Sequence, residues 1–168
     1  MELRTIFLIM FREIPTQRAH FSIFVPSATD STIGSVIHVI GAPMAGYKLQ
    51  FKRRWSRIGT KRRHEMIPIG EARSSDIVDS PEDAPFSEDT TPQGNIEVAA
   101  SLILAPGRNE NFLAPVNDTT NRRCQEWTME YVRHLVALGI IATDAIEAVQ
   151  AKRDPPSHGI TLRPVRRD

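Results

Sequence analysis

Five short segments in the first seventy residues carry apolar side chains at strand spacing, and each is cut off by proline, glycine or a polar turn. Residues 4–12 are rich in β-branched and aromatic side chains. His20-Phe-Ser-Ile-Phe-Val25 alternates and stops at Pro26, and Ser35-Val-Ile-His-Val-Ile40 is followed by Gly41 and Pro43. Tyr47-Lys-Leu-Gln-Phe-Lys52 alternates apolar with polar, as a half-buried strand does. His64 to Ile69 reads as a fifth strand, which Pro68 confines to an edge or a strand end. Connections this short join antiparallel neighbours, because a parallel pair needs a crossover of a dozen or more residues.

The middle of the chain changes character. Residues 71–94 are acidic, rich in Ser, Thr and Pro, and poor in large apolar side chains, so they are expected to form an exposed loop with little regular structure. Asn95 is placed to cap a helix over Ile96–Leu104 that ends before Pro106. From Cys124 onward, Trp127, Tyr131, Val132, Leu135 and Leu138 follow helical spacing, and Gly139 stands where a C-terminal cap belongs. Asp144 with Glu147 resembles a capping box for a last helix, ending before Pro155 and leaving 155–168 as a tail. The expected fold is α+β over one domain, residues 1–168. About five antiparallel strands pack on about three helices.

Composition narrows the partners. The 168 residues are 40% hydrophobic and 24% charged with a formal net charge of +1, which gives no global pull towards nucleic acid or an anionic membrane. A single cysteine excludes an internal disulfide. The apolar run Thr5–Phe11 is too short for a secretory h-region and no stretch is long enough to cross a bilayer, so a cytoplasmic location is expected. Eight basic residues and no acidic one lie between Lys48 and Arg63, with Tyr47, Phe51 and Trp55 interleaved. A nucleic-acid surface would look like this. So would a solvated strand face, and the acidic 71–89 segment offers the same chain an internal counterweight, so nucleic acid is not the expected partner. The glycines of Gly41–Gly46 lack the spacing of a phosphate loop. The histidines and the cysteine lack zinc-site spacing, so neither metal nor other cofactor is expected.

The chemistry centres on the lone thiol. Cys124 opens a helix, where unpaired backbone N–H groups and the macrodipole favour a thiolate, and Arg122 and Arg123 precede it. A histidine held on a strand, His20, is a plausible base for it. The competing reading is a small buried hydrophobe that happens to be cysteine. His64, His134 and His158 read as surface histidines.

The order His20-x-Ser22-Ile-aromatic-Val, then Val-Ile-His38-Val, then Cys124 with Trp127 three residues on, resembles the circularly permuted papain-like enzymes. The nearest pattern is that of the lecithin:retinol acyltransferase-like and NlpC-type families. The resemblance implies an antiparallel sheet with the cysteine helix packed against it. It further implies Cys124 as nucleophile, His20 as base and His38 as the orienting third member, with Ser22, Arg123 and Trp127 lining the substrate. The family usually has Asn before the cysteine and His two residues after it, where this chain has Arg123 and Glu126. The chain is also similar to small fungal proteins of natural-product pathways. The implied activity is hydrolysis or transfer of an acyl, thioester or amide group. Two alternatives stay open: a pathway enzyme that isomerises or cyclises a small molecule in the same pocket, and a catalytically inactive binding module.

Overall fold

The computed structural model describes residues 1–109, 111 and 113–160. The strands are β1 (Leu3–Phe11), β2 (His20–Pro26), β3 (Ile33–Ala42), β4 (Gly46–Ser56), β5 (His64–Arg73) and β6 (Ser87–Asp89). The helices are α1 (Gly94–Ser101), α2 (Cys124–Ala137) and α3 (Asp144–Gln150). All strands join one antiparallel sheet in the order β5-β1-β2-β3-β4-β6. The fold is therefore α+β with six strands rather than five.

Strand alternation divides the sheet into two apolar faces. On one face Ile6, Leu8 and Met10 of β1, Phe21, Ile23 and Val25 of β2, Ile37 and Val39 of β3 and Phe51 of β4 meet Trp127, Met129, Tyr131, Val132 and Leu135 of α2. The other face collects Ile9, Phe11, Phe24, Val36 and Trp55, with no helix among them. A flat sheet holds β1 and β4 about 14 Å apart, three strand spacings, yet the Phe11 and Trp55 rings meet edge-on at 6.3 Å between centroids. The sheet is curled, and this second face is its concave side. Arg54 takes a positive φ of 56° where the β3–β4 register slips between Gly34 and Val36, the added twist of a bulge.

Residues 71–94 are not the featureless loop expected from composition. β5 extends to Arg73, Ser74–Asp76 form a 3-10 turn, and Ser87–Asp89 add the sixth strand against Phe51–Arg53 of β4. Polar contacts replace the missing apolar ones. Arg4 reaches both carboxylate oxygens of Asp79, and Arg53, almost fully buried, binds Asp89, Glu97 and the Thr91 carbonyl. Part of the basic stretch is thereby neutralised by the acidic one. Asn95 lies inside α1 and donates to Asp76 instead of capping. Of the expected tail, residues 155–160 pack on the body through buried Ile160 and the Pro155 and Pro156 carbonyls, and the remainder lies outside the described residues.

α2 ends as its sequence indicates. Gly139 has φ +74°, its N–H bonds the Val136 carbonyl, and Ile140 N–H bonds that of Leu135, the paired hydrogen bonds of a Schellman cap. Gly139→Ala is expected to cost about 1 kcal/mol, because a Cβ strains the left-handed conformation although no atom lies within 4 Å of it. Equilibrium urea unfolding checks this; an unchanged midpoint contradicts it.

Candidate functional site

The antiparallel pairing of β2 with β3 runs from Pro26↔Gly34 to Ile23↔Ile37, so His20, Ser22 and His38 lie beyond it, where the two strands are no longer joined. The N-terminus of α2 packs at this opening. The Cys124 thiol donates to the carbonyl oxygen of Ala19, 3.8 Å away, and the backbone N–H of Phe21 faces the sulfur. The thiol is thus held against the two residues that flank His20. The side chains of Ala19 and Phe21 turn towards α2, and those of His20 and Ser22 turn towards the concave face.

On that face a polar chain crosses from β2 to β6. His20 Nε2 lies 2.9 Å from His38 Nδ1, the rings meeting edge-on. His38 Nε2 lies 2.9 Å from Gln50 Oε1 on β4, and Gln50 Nε2 donates to Glu88 Oε2 on β6 at 2.9 Å. Ser22 Oγ lies 3.2 Å from His38 Nδ1. An open groove of about 470 Å³ runs beside them, lined by both histidines, Gln50, Glu88, Lys52 and Arg62 among others.

Burial, then the neighbouring charges of His38, Arg62 and Lys52, lowers the His20 pKa to about 3. His38 falls to about 4, chiefly by burial, against the opposing hydrogen bond from Gln50. Both imidazoles are neutral at pH 7. Their folded pKa values lie below that of an unfolded histidine, so only the unfolded chain takes up protons as pH drops below about 6.5. Stability is therefore expected to be complete above that pH and to fall steadily towards pH 4. His38→Gln should flatten part of that slope in urea titrations across pH 4–7; an unaltered slope would contradict it.

The thiol departs from the expectation for a helix start. Burial pushes Cys124 up to about 11, and the Glu126 carboxylate raises it further. The macrodipole at this end is already engaged by Glu126, whose Oε1 accepts the Arg123 N–H. Arg122 gives its charge to Glu130. Iodoacetamide should accordingly alkylate Cys124 slowly at pH 7, with a rate climbing about tenfold per pH unit towards pH 10; fast labelling at pH 6 would show a thiolate instead.

Two expected substrate contacts fall elsewhere. Trp127 is fully buried, stacks on Tyr131 and donates to the Ile103 carbonyl, because the helical stripe that carries it faces the core. Ser22 is fully buried and spends its hydroxyl on His38. Arg123 stays beside Cys124, near the Tyr47 phenol and the charges of Arg18 and Glu126. Gln50 and Glu88 escaped the sequence reading. Gln50 shows only as a polar position of an alternating strand, and Glu88 is one acid among many.

Residues 6–142 match a protein family of unknown function, DUF6540, and the chain belongs to that family. No curated protein and no solved structure matches it. No helix among the described residues is long and apolar enough to cross a membrane.

Proposed function

We propose that the protein is a cysteine-dependent acyl hydrolase or acyltransferase with a circularly permuted papain-like site, acting on an ester, thioester or amide through Cys124. The observation that carries this reading is the 2.9 Å contact between His20 Nε2 and His38 Nδ1, in the strand segment against which the Cys124 thiol is packed. A histidine gripped through one ring nitrogen presents the other to a proton donor, as a base that serves a nucleophile must. A neutral thiol and a neutral imidazole make proton transfer part of the attack itself. The thiol rests on the α2 side of β2 and the His20 ring on the other face, so this step requires one of them to swing through the gap where β2 and β3 part. The thiol proton then passes to His20 as sulfur bonds the acyl carbon, and the carbonyl oxygen takes the negative charge against the Cys124 backbone N–H. Collapse breaks the bond to the leaving group, which takes the proton from His20. Water or an acceptor alcohol or amine then attacks the thioester as His20 takes its proton, and collapse expels the sulfur, which takes that proton back from His20. The groove beside the histidines, with Lys52 and Arg62 on its wall, offers the substrate a place next to the base. Cys124 is not among its lining residues, so the same swing must bring the sulfur to it.

A panel of p-nitrophenyl esters and acyl thioesters of increasing chain length tests the reading by intact-protein mass spectrometry. A single acyl adduct on Cys124 that forms and decays during turnover is the expected result. Absence of any adduct and of turnover across the panel would favour a non-covalent role for the same groove, either isomerisation or cyclisation of a small molecule or binding alone.

A further inference from the structure

The amide of Gln50 stands between two groups of fixed or fixable polarity, and this decides more than its own orientation. The Glu88 carboxylate only accepts hydrogen bonds. Its Oε2 lies 2.9 Å from Gln50 Nε2, which turns Gln50 Oε1 to His38 Nε2 at 2.9 Å. An amide oxygen also only accepts, so His38 carries its proton on Nε2 and leaves Nδ1 bare. That bare nitrogen has one lone pair and lies 2.9 Å from His20 Nε2, which must donate to it, with Ser22 Oγ at a longer 3.2 Å. His20, protonated on Nε2, is left with an unprotonated Nδ1.

We infer that Glu88, acting through Gln50 and His38, is a positioning residue that holds the proton of His20 on Nε2 and leaves Nδ1 as the basic nitrogen. The inference rests on the proposed function for its effect on turnover only. The tautomers are a property of the resting protein. A rotated Gln50 would aim its carbonyl at Glu88 and its NH₂ at His38. His38 would then have to accept on Nε2 and donate from Nδ1, and His20 would have to accept on Nε2 and hold its proton on Nδ1. One carboxylate on the short edge strand β6 separates these two states. The acidic segment, whose backbone pairs with β4 over Ser87–Asp89, thereby sets the protonation pattern two and three strands away.

The test reads the tautomers directly, by ¹⁵N NMR of histidine-labelled full-length protein at pH 7. In the native chain His20 and His38 are both expected to be protonated on Nε2. Glu88 is exposed, so its variants should keep the fold. Glu88→Lys replaces an acceptor by a donor, which turns the Gln50 carbonyl outward, so both histidines should move their protons to Nδ1. Glu88→Gln still offers a carbonyl and should keep the native pattern. Glu88→Lys combined with Gln50→Glu restores an acceptor facing His38 and should return both protons to Nε2. If acyl turnover is present, Glu88→Lys should lower kcat by about 10², since it takes the basic nitrogen from His20, and the double variant should recover most of it. A native protein with either histidine protonated on Nδ1, or unchanged tautomers in Glu88→Lys, would overturn the inference. Tautomers that switch in a protein without turnover would uphold it and count against the acyl-transfer reading alone.

Discussion

Cys124→Ser is expected to lower acyl-ester or thioester turnover by at least about 10³-fold, while His20→Ala lowers it to a similar residual level. Neither variant should add to the other, because thiol and base act in one proton transfer and removing either ends it. The alkoxide that serine would need is harder to form than the thiolate, and the thiol itself already rests at about 11. His38→Ala should cost less, since His20 keeps its own nitrogen and loses only its support. Stability separates this from a packing role. Serine is close in size to cysteine and the thiol gives up only a long 3.8 Å contact to the Ala19 carbonyl, so Cys124→Ser should shift stability by no more than about 1 kcal/mol, read from the urea midpoint. Turnover that survives in Cys124→Ser would remove the cysteine from the mechanism, whatever the state of the histidines.

The strands from Leu3 to Ser56 and the helix from Cys124 were legible because each carries its signal within its own residues: alternation, a following Pro or Gly, an apolar stripe, a C-terminal glycine. β6 was not legible. Ser87–Asp89 holds no large apolar side chain, and its place in the sheet depends on Arg53 and Gln50 of a strand more than thirty residues away. The site shows the same division. His20 and His38 fall on one face by alternation and on neighbouring strands by short connection, so their meeting could be expected from the sequence. Trp127 was assigned to substrate on its spacing from Cys124, yet the same spacing places it on the apolar stripe that faces the sheet, and burial won. The thiol followed a similar course. A helix start favours the anion only where its N–H groups are free and the site is wet. Here Glu126 occupies that end and burial dominates.

Glu126→Ala should be the most damaging single change near the site, lowering stability by about 3–5 kcal/mol. The Glu126 side chain has no exposed surface, and its Oε2 lies 3.2 Å from Arg18 Nη2 and 3.1 Å from Arg153 Nη2. Its other oxygen accepts the Arg123 N–H at the first turn of α2. Truncation removes the anion that two largely buried guanidinium groups share, leaving Arg153 the more exposed Asp118 and Arg18 only carbonyl and amide oxygens, and unpairs a helix-start N–H at the same time. The cost is that of stranded charge, not of a lost surface pair, for which about 0–1 kcal/mol would be usual. Glu126→Gln keeps the shape and one carbonyl acceptor, so it should fall between the native chain and the alanine variant. The effect also reaches the site. Arg18 precedes Ala19 and His20 on the chain, and Gln125, between Cys124 and Glu126, donates to both the Ala19 carbonyl and Asp154. Loosening this knot frees the start of β2 and the start of α2 together, the two segments that carry His20 and Cys124. Urea unfolding with an unchanged slope and a lowered midpoint is the expected signature. A loss below about 1 kcal/mol would mean that water reaches the two arginines and that the buried network does not hold the helix start in place.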